Sequence, residues 1–119
     1  MNLTVVAFYE DHWMPPGTDR AQWDHMCRAY EVELQMVRSW EEVVLPEDAK
    51  VVILEEAGDS VFPVVDGNVV LVVGRTAQNL LTYLPEGTWH GSYAIKTPQP
   101  IPMFGVSAAA IVLHQLRGV

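Results

Sequence analysis

Hydrophobic and polar positions along the chain fall into short apolar blocks separated by polar breaks. Leu3 to Phe8 (LTVVAF) is a β-branched apolar run of the length of a buried strand. His12 to Gly17 (HWMPPG) is a loop, because two prolines and a glycine break both helix and strand. Thr18 or Asp19 then caps a helix reaching about Tyr30. In it Trp23, Met26, Cys27 and Tyr30 fall at i, i+3, i+4 and i+7 and share one face. Glu33 to Val37 reads as a second strand, more polar in its alternation than the first. Arg38 to Asp48 reads as a short turn of helix interrupted by Pro46.

Lys50 to Leu54 (KVVIL) is a third strand, followed by Glu55-Glu56 and Gly58. Val61 to Asp66 is a candidate extended segment that ends in the turn signal Asp66-Gly67-Asn68. Val69 to Val73 (VVLVV) is the clearest strand; it ends at Gly74, and Thr76 to Leu84 reads as a helix stopped by Pro85. Trp89 to Lys96 is a fifth strand candidate. Thr97 to Pro102 (TPQPIP) is irregular or polyproline-like. From about Gly105 a last helix begins, apolar nearly all round from Ala108 to Leu113. A helix of that kind is buried on more than one side, by the sheet and by either a neighbouring element or a second subunit.

Strands alternating with helices predict an α/β domain, and runs such as VVLVV suit a sheet covered on both faces. The expectation is a mostly parallel, five- to six-stranded sheet with helices on both faces, forming a single domain over 1–119. Half of the residues are hydrophobic, which excludes general disorder. No stretch approaches the ~20 apolar residues of a bilayer-spanning helix, and Met1-Asn2-Leu3-Thr4 lacks a secretion-signal pattern. One cysteine, Cys27, allows no intrachain disulfide and no thiolate metal cage. The expectation is a cytoplasmic protein without membrane partners.

The net charge of −8 is uneven: residues 1–66 hold 14 of the 15 acidic side chains but only four of the seven basic ones. Such a chain repels phosphate backbones at long range, so DNA is not expected as a partner, while a local basic surface on the second half stays open. GxGxxG, P-loop and GxSxG motifs are absent. His25 and Cys27, two apart on a helix, point to different faces, which disfavours a metal site there. Glu55, Glu56 and Asp59 are read either as a Mg²⁺ site or, preferentially, as a solvated loop.

In parallel sheets ligands bind beyond the carboxyl ends of strands. Three such ends stand out: after Leu54, at Val73-Gly74-Arg75, and at Ile95-Lys96-Thr97. Gly74 either lets a ligand approach the backbone or serves a tight turn. The order of these segments resembles the SPOUT superfamily of trefoil-knot RNA methyltransferases. The ending AIKTPQPIPMFGVSAAAIVLHQLR (94–117) looks like its C-terminal signature, VVLVVG (69–74) and VVILEEAG (51–58) like its preceding strands, and LTVVAFYED with the Pro-rich loop and Arg28-bearing helix like its first strand and motif 1.

That resemblance implies a C-terminal trefoil knot, with 97–107 threaded through the loop after Val69–Val73. It also implies S-adenosylmethionine as cofactor, held by Leu54, Gly74, Ile95, Pro102, Met103 and Phe104. The activity it implies is methylation of RNA, at a tRNA ribose 2′-hydroxyl, by a homodimer in which Arg28 completes a site between subunits. Arg28 would orient a phosphate and stabilise a developing alkoxide, since a guanidinium with a pKa above ~12 is no general base. Its alternative reading is an i, i+4 pair with Asp24. Trp13, Trp23 and Met26 are candidate interface residues, the last two equally explained by core packing. The family's motif 1 asparagine falls near Gln22, its motif 2 glutamate is missing from Arg75–Asn79, and its knot-loop asparagine is replaced around Phe104-Gly105. These departures open a second reading, a non-catalytic knotted domain that binds a protein partner. A third is an unknotted flavodoxin-like or Rossmann-like binding module.

Overall fold

The computed structural model describes residues 1–9, 15, 17–75, 79–99, 101 and 103–118. Trp13 and Pro102, singled out above, lie outside the described residues. Five strands form one sheet: β1 (Asn2–Phe8), β2 (Glu33–Val37), β3 (Lys50–Leu54), β4 (Asn68–Val73) and β5 (Gly91–Tyr93). Their order is β2-β1-β4-β3-β5, and every neighbouring pair is parallel. Two α-helices accompany them, α1 (Thr18–Ala29) and α2 (Gly105–Arg117). Among the described residues no helix is long and apolar enough to cross a membrane.

Alternation along the strands sends side chains to two separate cores. On one face Val5, Ala7, Val52, Val69, Leu71 and Val73 meet Trp23 and Cys27 of α1 and Ala109, Val112 and Leu113 of α2. The spacing of Trp23, Met26, Cys27 and Tyr30 does form the inner stripe of α1: Trp23 and Cys27 are buried, while Met26 and Tyr30 pack beside them half-buried. Trp23 is therefore a core residue rather than an interface residue. The opposite face carries Val6, Phe8, Val37, Val51, Ile53, Val70 and Val72, which pack with Leu80 and Leu84. Each fully buried aliphatic side chain contributes about 1.5–3 kcal/mol to the folded state.

Both α-helices thus lie on one face, which corrects the expectation of helices on each. The other face is covered by two 3₁₀ turns, Trp40–Glu42 and Leu80–Thr82, and by Trp40, Val43, Tyr83 and Trp89 around them. The helix predicted from Thr76 to Leu84 is replaced at its described end by the second of these turns. Asn79 accounts for this: its side chain accepts a hydrogen bond from the Leu81 amide (2.9 Å), capping a turn that Pro85 stops from growing. Val61 to Asp66 forms no strand, although Phe62 and Val65 pack onto the helical face. β5 is shorter than the predicted Trp89–Lys96 because Ala94 turns its amide to the Asp59 carbonyl (2.8 Å) instead of extending the ladder. α2 buries Gly105, Ala109, Val112 and Leu113 but leaves Ile111 exposed, so only one of its apolar sides is covered within a single chain.

Candidate functional site at the carboxyl edge of the sheet

The carboxyl ends of β3, β4 and β5 come together in register, Leu54 opposite Val73 on one side and Tyr93 on the other. A cavity of about 630 Å³ opens above them. Leu54, Gly74, Ile95 and Met103, all read from the sequence as cofactor-binding, line it together with Leu80 and Ala108. Its polar members include Glu56, Arg75, Lys96 and Thr97. A crevice with apolar walls and a few polar groups is the usual form of a small-molecule site, and its size falls in the ordinary range.

Glu55 ties the parts of this edge together. Its amide donates to the Tyr93 carbonyl (3.1 Å), its Oε2 accepts from the Leu80 amide (3.0 Å), and its carbonyl accepts from the Gly58 amide (2.8 Å). One residue therefore links the ends of β3 and β5 to the turn that follows β4. Lys96 adds a second tie, donating from Nζ to the Glu56 carbonyl (3.3 Å). Glu55 and Glu56, read as a solvated acidic loop or a Mg²⁺ site, are thus engaged in the walls of the cavity. Among the described residues no three His, Cys, Asp or Glu side chains gather as metal ligands.

The glycines report on close approaches. A Cβ on Gly74 would come within 2.5 Å of the Tyr83 hydroxyl and 2.9 Å of Leu80 Cδ1, so side-chain packing, a reason neither sequence reading named, keeps this position small. Tyr83 Oη accepts from the Arg75 amide (2.8 Å), which fixes the exit from β4. A Cβ on Gly105 would lie 3.1 Å from the Gly74 carbonyl oxygen, and one on Gly58 would overlap the Tyr93 backbone at 2.9 Å. The start of α2 and the loop after β3 therefore pass against the strand ends with no room for a side chain between. Ile95 and Met103 make no hydrogen bond with other described residues, which leaves their main-chain groups available to a ligand.

Two predicted site residues stand elsewhere. Phe104 is exposed and lines a separate groove between the first half of α1 and the start of α2, with Gln22, His25, Met26, Val106 and Ala110. Arg28 is exposed in the last turn of α1. That helix runs back against the strands, and five residues after Arg28 the chain enters β2 at Glu33, paired with Thr4 near the start of β1. Arg28 therefore sits at the amino edge of the sheet, opposite the cavity. The pair proposed for it does not form either: Asp24 pairs with Arg20 at 3.5 Å. Cys27, beside it in sequence, has its thiol pushed up to about 11, by burial first and by the Asp24 charge second, so it is a neutral core side chain at physiological pH.

Sequence reasoning missed the tie made by Glu55 and a group of arginines at the same edge. Arg38 follows β2 directly and Arg75 lies two residues beyond β4, so a basic residue at a strand's carboxyl end was the signal for both. No family model, curated protein or solved structure matches this chain.

Proposed function

We propose that the cavity holds the adenosyl part of S-adenosylmethionine and that the chain is a small SPOUT-like domain of the RNA methyltransferase type. The observation that carries this reading is the convergence of Leu54, Gly74, Ile95 and Met103, four positions selected from the sequence alone, on one cavity at three parallel strand ends. The residues present fit such a group. Leu54, Leu80, Ile95 and Met103 offer apolar surface to a purine ring, and the unengaged main-chain groups of Ile95 and Met103 can meet its polar edge. When bound there, the cofactor supplies a methyl group already activated on a sulfonium. The chain's own residues bind it, exclude water and orient the acceptor.

A knot belongs to this reading. The stretch 97–107 is proposed to pass through the loop that follows β4. The tie from Glu55 Oε2 to the Leu80 amide, which holds Leu80 against the end of β3, and the close approach of Gly105 to the Gly74 carbonyl support it, while residues 76–78, 100 and 102 lie outside the described residues. A homodimer is proposed through the groove between α1 and α2, where Phe104 and nearby Ile111 are exposed on an otherwise apolar helix.

The position of Arg28 favours keeping a second reading, in which the domain binds the cofactor or a protein partner without catalysis. With Arg28 at the amino edge, no arginine of motif 1 type reaches the cavity of its own chain. Calorimetry with S-adenosylmethionine and S-adenosylhomocysteine tests the first reading. Saturable binding that Ala108→Phe abolishes by filling the cavity is expected, and absence of heat from either compound contradicts it. Transfer of a labelled methyl group to bulk tRNA separates the two readings, with binding but no transfer favouring the second.

A further inference from the structure

Three of the chain's seven basic residues meet on one tyrosine at the carboxyl edge. Arg20 donates from a terminal guanidinium nitrogen to Tyr9 Oη (2.9 Å). Arg38 lies over the Tyr9 ring, 4.8 Å from its centre. Arg75 donates from Nε to the Tyr9 carbonyl (3.3 Å) and from a terminal nitrogen to the Arg38 carbonyl (3.1 Å), bridging the ends of β1 and β2. Arg20 and Arg38 thus meet the Tyr9 side chain and Arg75 its main-chain carbonyl, which concentrates positive charge at one corner of a protein of net charge −8.

Among the described residues no carboxylate pairs with Arg75. Asp24 pairs with Arg20, and Glu42 Oε2 is engaged by the amides of Arg38 and Ser39, which hold its carboxyl below the usual range. Arg75 is also the best fixed of the three. The rings of Phe8 and Tyr83 lie 5.3 and 5.0 Å from its guanidinium carbon, and two carbonyls hold one side of the fork. Its remaining N–H donors have no partner among the described residues. A planar fork held in one orientation with donors to spare is suited to bidentate capture of a phosphate.

We infer that Arg75, with Arg38 and Arg20 around Tyr9, forms a phosphate-binding corner for a nucleotide-bearing ligand at the carboxyl edge of the sheet. Arg75 lines the cavity as well, so a phosphate held here lies beside whatever occupies that cavity. The corner stands on its own geometry and does not depend on the cavity taking an adenosyl group. The phosphate can belong to a free nucleotide or to an RNA backbone, and the chemistry of capture is the same.

The test is binding without any methyl donor present. A fluorescently labelled short single-stranded RNA is followed by anisotropy and adenosine monophosphate by calorimetry, for the wild type and for Arg75→Gln, Arg38→Gln and Arg117→Gln. Arg75→Gln is expected to weaken binding roughly tenfold or more and to reduce the salt dependence by about one counterion. Arg38→Gln, on an exposed side chain whose backbone carbonyl still accepts from Arg75, is expected to weaken binding by roughly threefold to tenfold without disturbing the fold. Arg117→Gln, at the end of α2, leaves binding unchanged. Binding of the RNA alone identifies a backbone phosphate, and binding of the monophosphate with the same arginine dependence identifies a free nucleotide. Failure of both ligands to bind at low salt overturns the inference, as does binding that Arg38→Gln and Arg75→Gln leave at wild-type strength.

Discussion

The two faces of the sheet are built from the same strands yet covered in different ways. One face lies under α1 and α2, whose Trp23, Cys27, Val112 and Leu113 repeat at helical spacing. The other lies under two 3₁₀ turns and a set of aromatic residues, with Phe8 and Tyr83 meeting edge to face at 5.0 Å. The helical cover is regular and internally hydrogen-bonded, so it resists collapse when a side chain is removed. The turn cover depends on single ties such as Glu55 to Leu80, and its parts can shift one by one. The cavity opens where the two covers meet, with Leu80 from one and Ala108 from the other, so a ligand there bears on both.

A pair of truncations makes this contrast measurable. Leu113→Ala on the helical face is expected to cost about 4 kcal/mol of unfolding free energy, because the cavity it leaves cannot close. Leu80→Ala on the turn face is expected to cost less, about 2 kcal/mol, since its surroundings relax, and to disturb ligand binding that Leu113→Ala leaves intact. Urea unfolding of both variants checks the order; equal costs would mean that the turn cover is as rigid as the helices.

The helical face also carries an alkaline liability. The Cys27 thiol is raised in the folded state to about 11, so the folded protein holds its proton more tightly than the unfolded chain. The corresponding stability is intact below the unfolded pKa and is lost as pH rises through the folded one, amounting to about 2–3 kcal/mol. Comparing urea midpoints at about pH 8 and about pH 11 reads it, and Cys27→Val removes that part of the decline. On the turn face the smallest effect is expected from Tyr83→Phe, which leaves the Arg75 amide without its acceptor and costs about 1 kcal/mol. A change in unfolding midpoint larger than that of Leu80→Ala would show that Tyr83 does more than hold this turn.

The same contrast explains what could be read from the sequence. β1 to β4, α1 and α2 were legible because apolar runs and the helical spacing around Trp23 state their period directly. The cover of the other face has no period: Trp40, Leu80, Leu84 and Trp89 reach it from turns, so a helix was expected where Asn79 caps a 3₁₀ turn. Leu54, Gly74, Ile95 and Met103, which the family resemblance implied for a cofactor, share one cavity because three of them stand at strand ends and the fourth just before α2. Arg28, read as completing a site between subunits, stands at the amino edge of its own chain because α1 returns its last turn there. Glu55 and the arginines around Tyr9 were missed because their partners are far apart in the chain, Arg75 reaching a carbonyl 66 residues away.

Backbone amide spectra of the isotopically labelled protein, recorded through a titration with S-adenosylhomocysteine, test the central claim most directly. Saturable shifts concentrated at Leu54, Ile95, Met103 and Ala108, with Arg28 unmoved, are the predicted result. Shifts absent throughout, or centred on the amino edge around Arg28, would contradict the account.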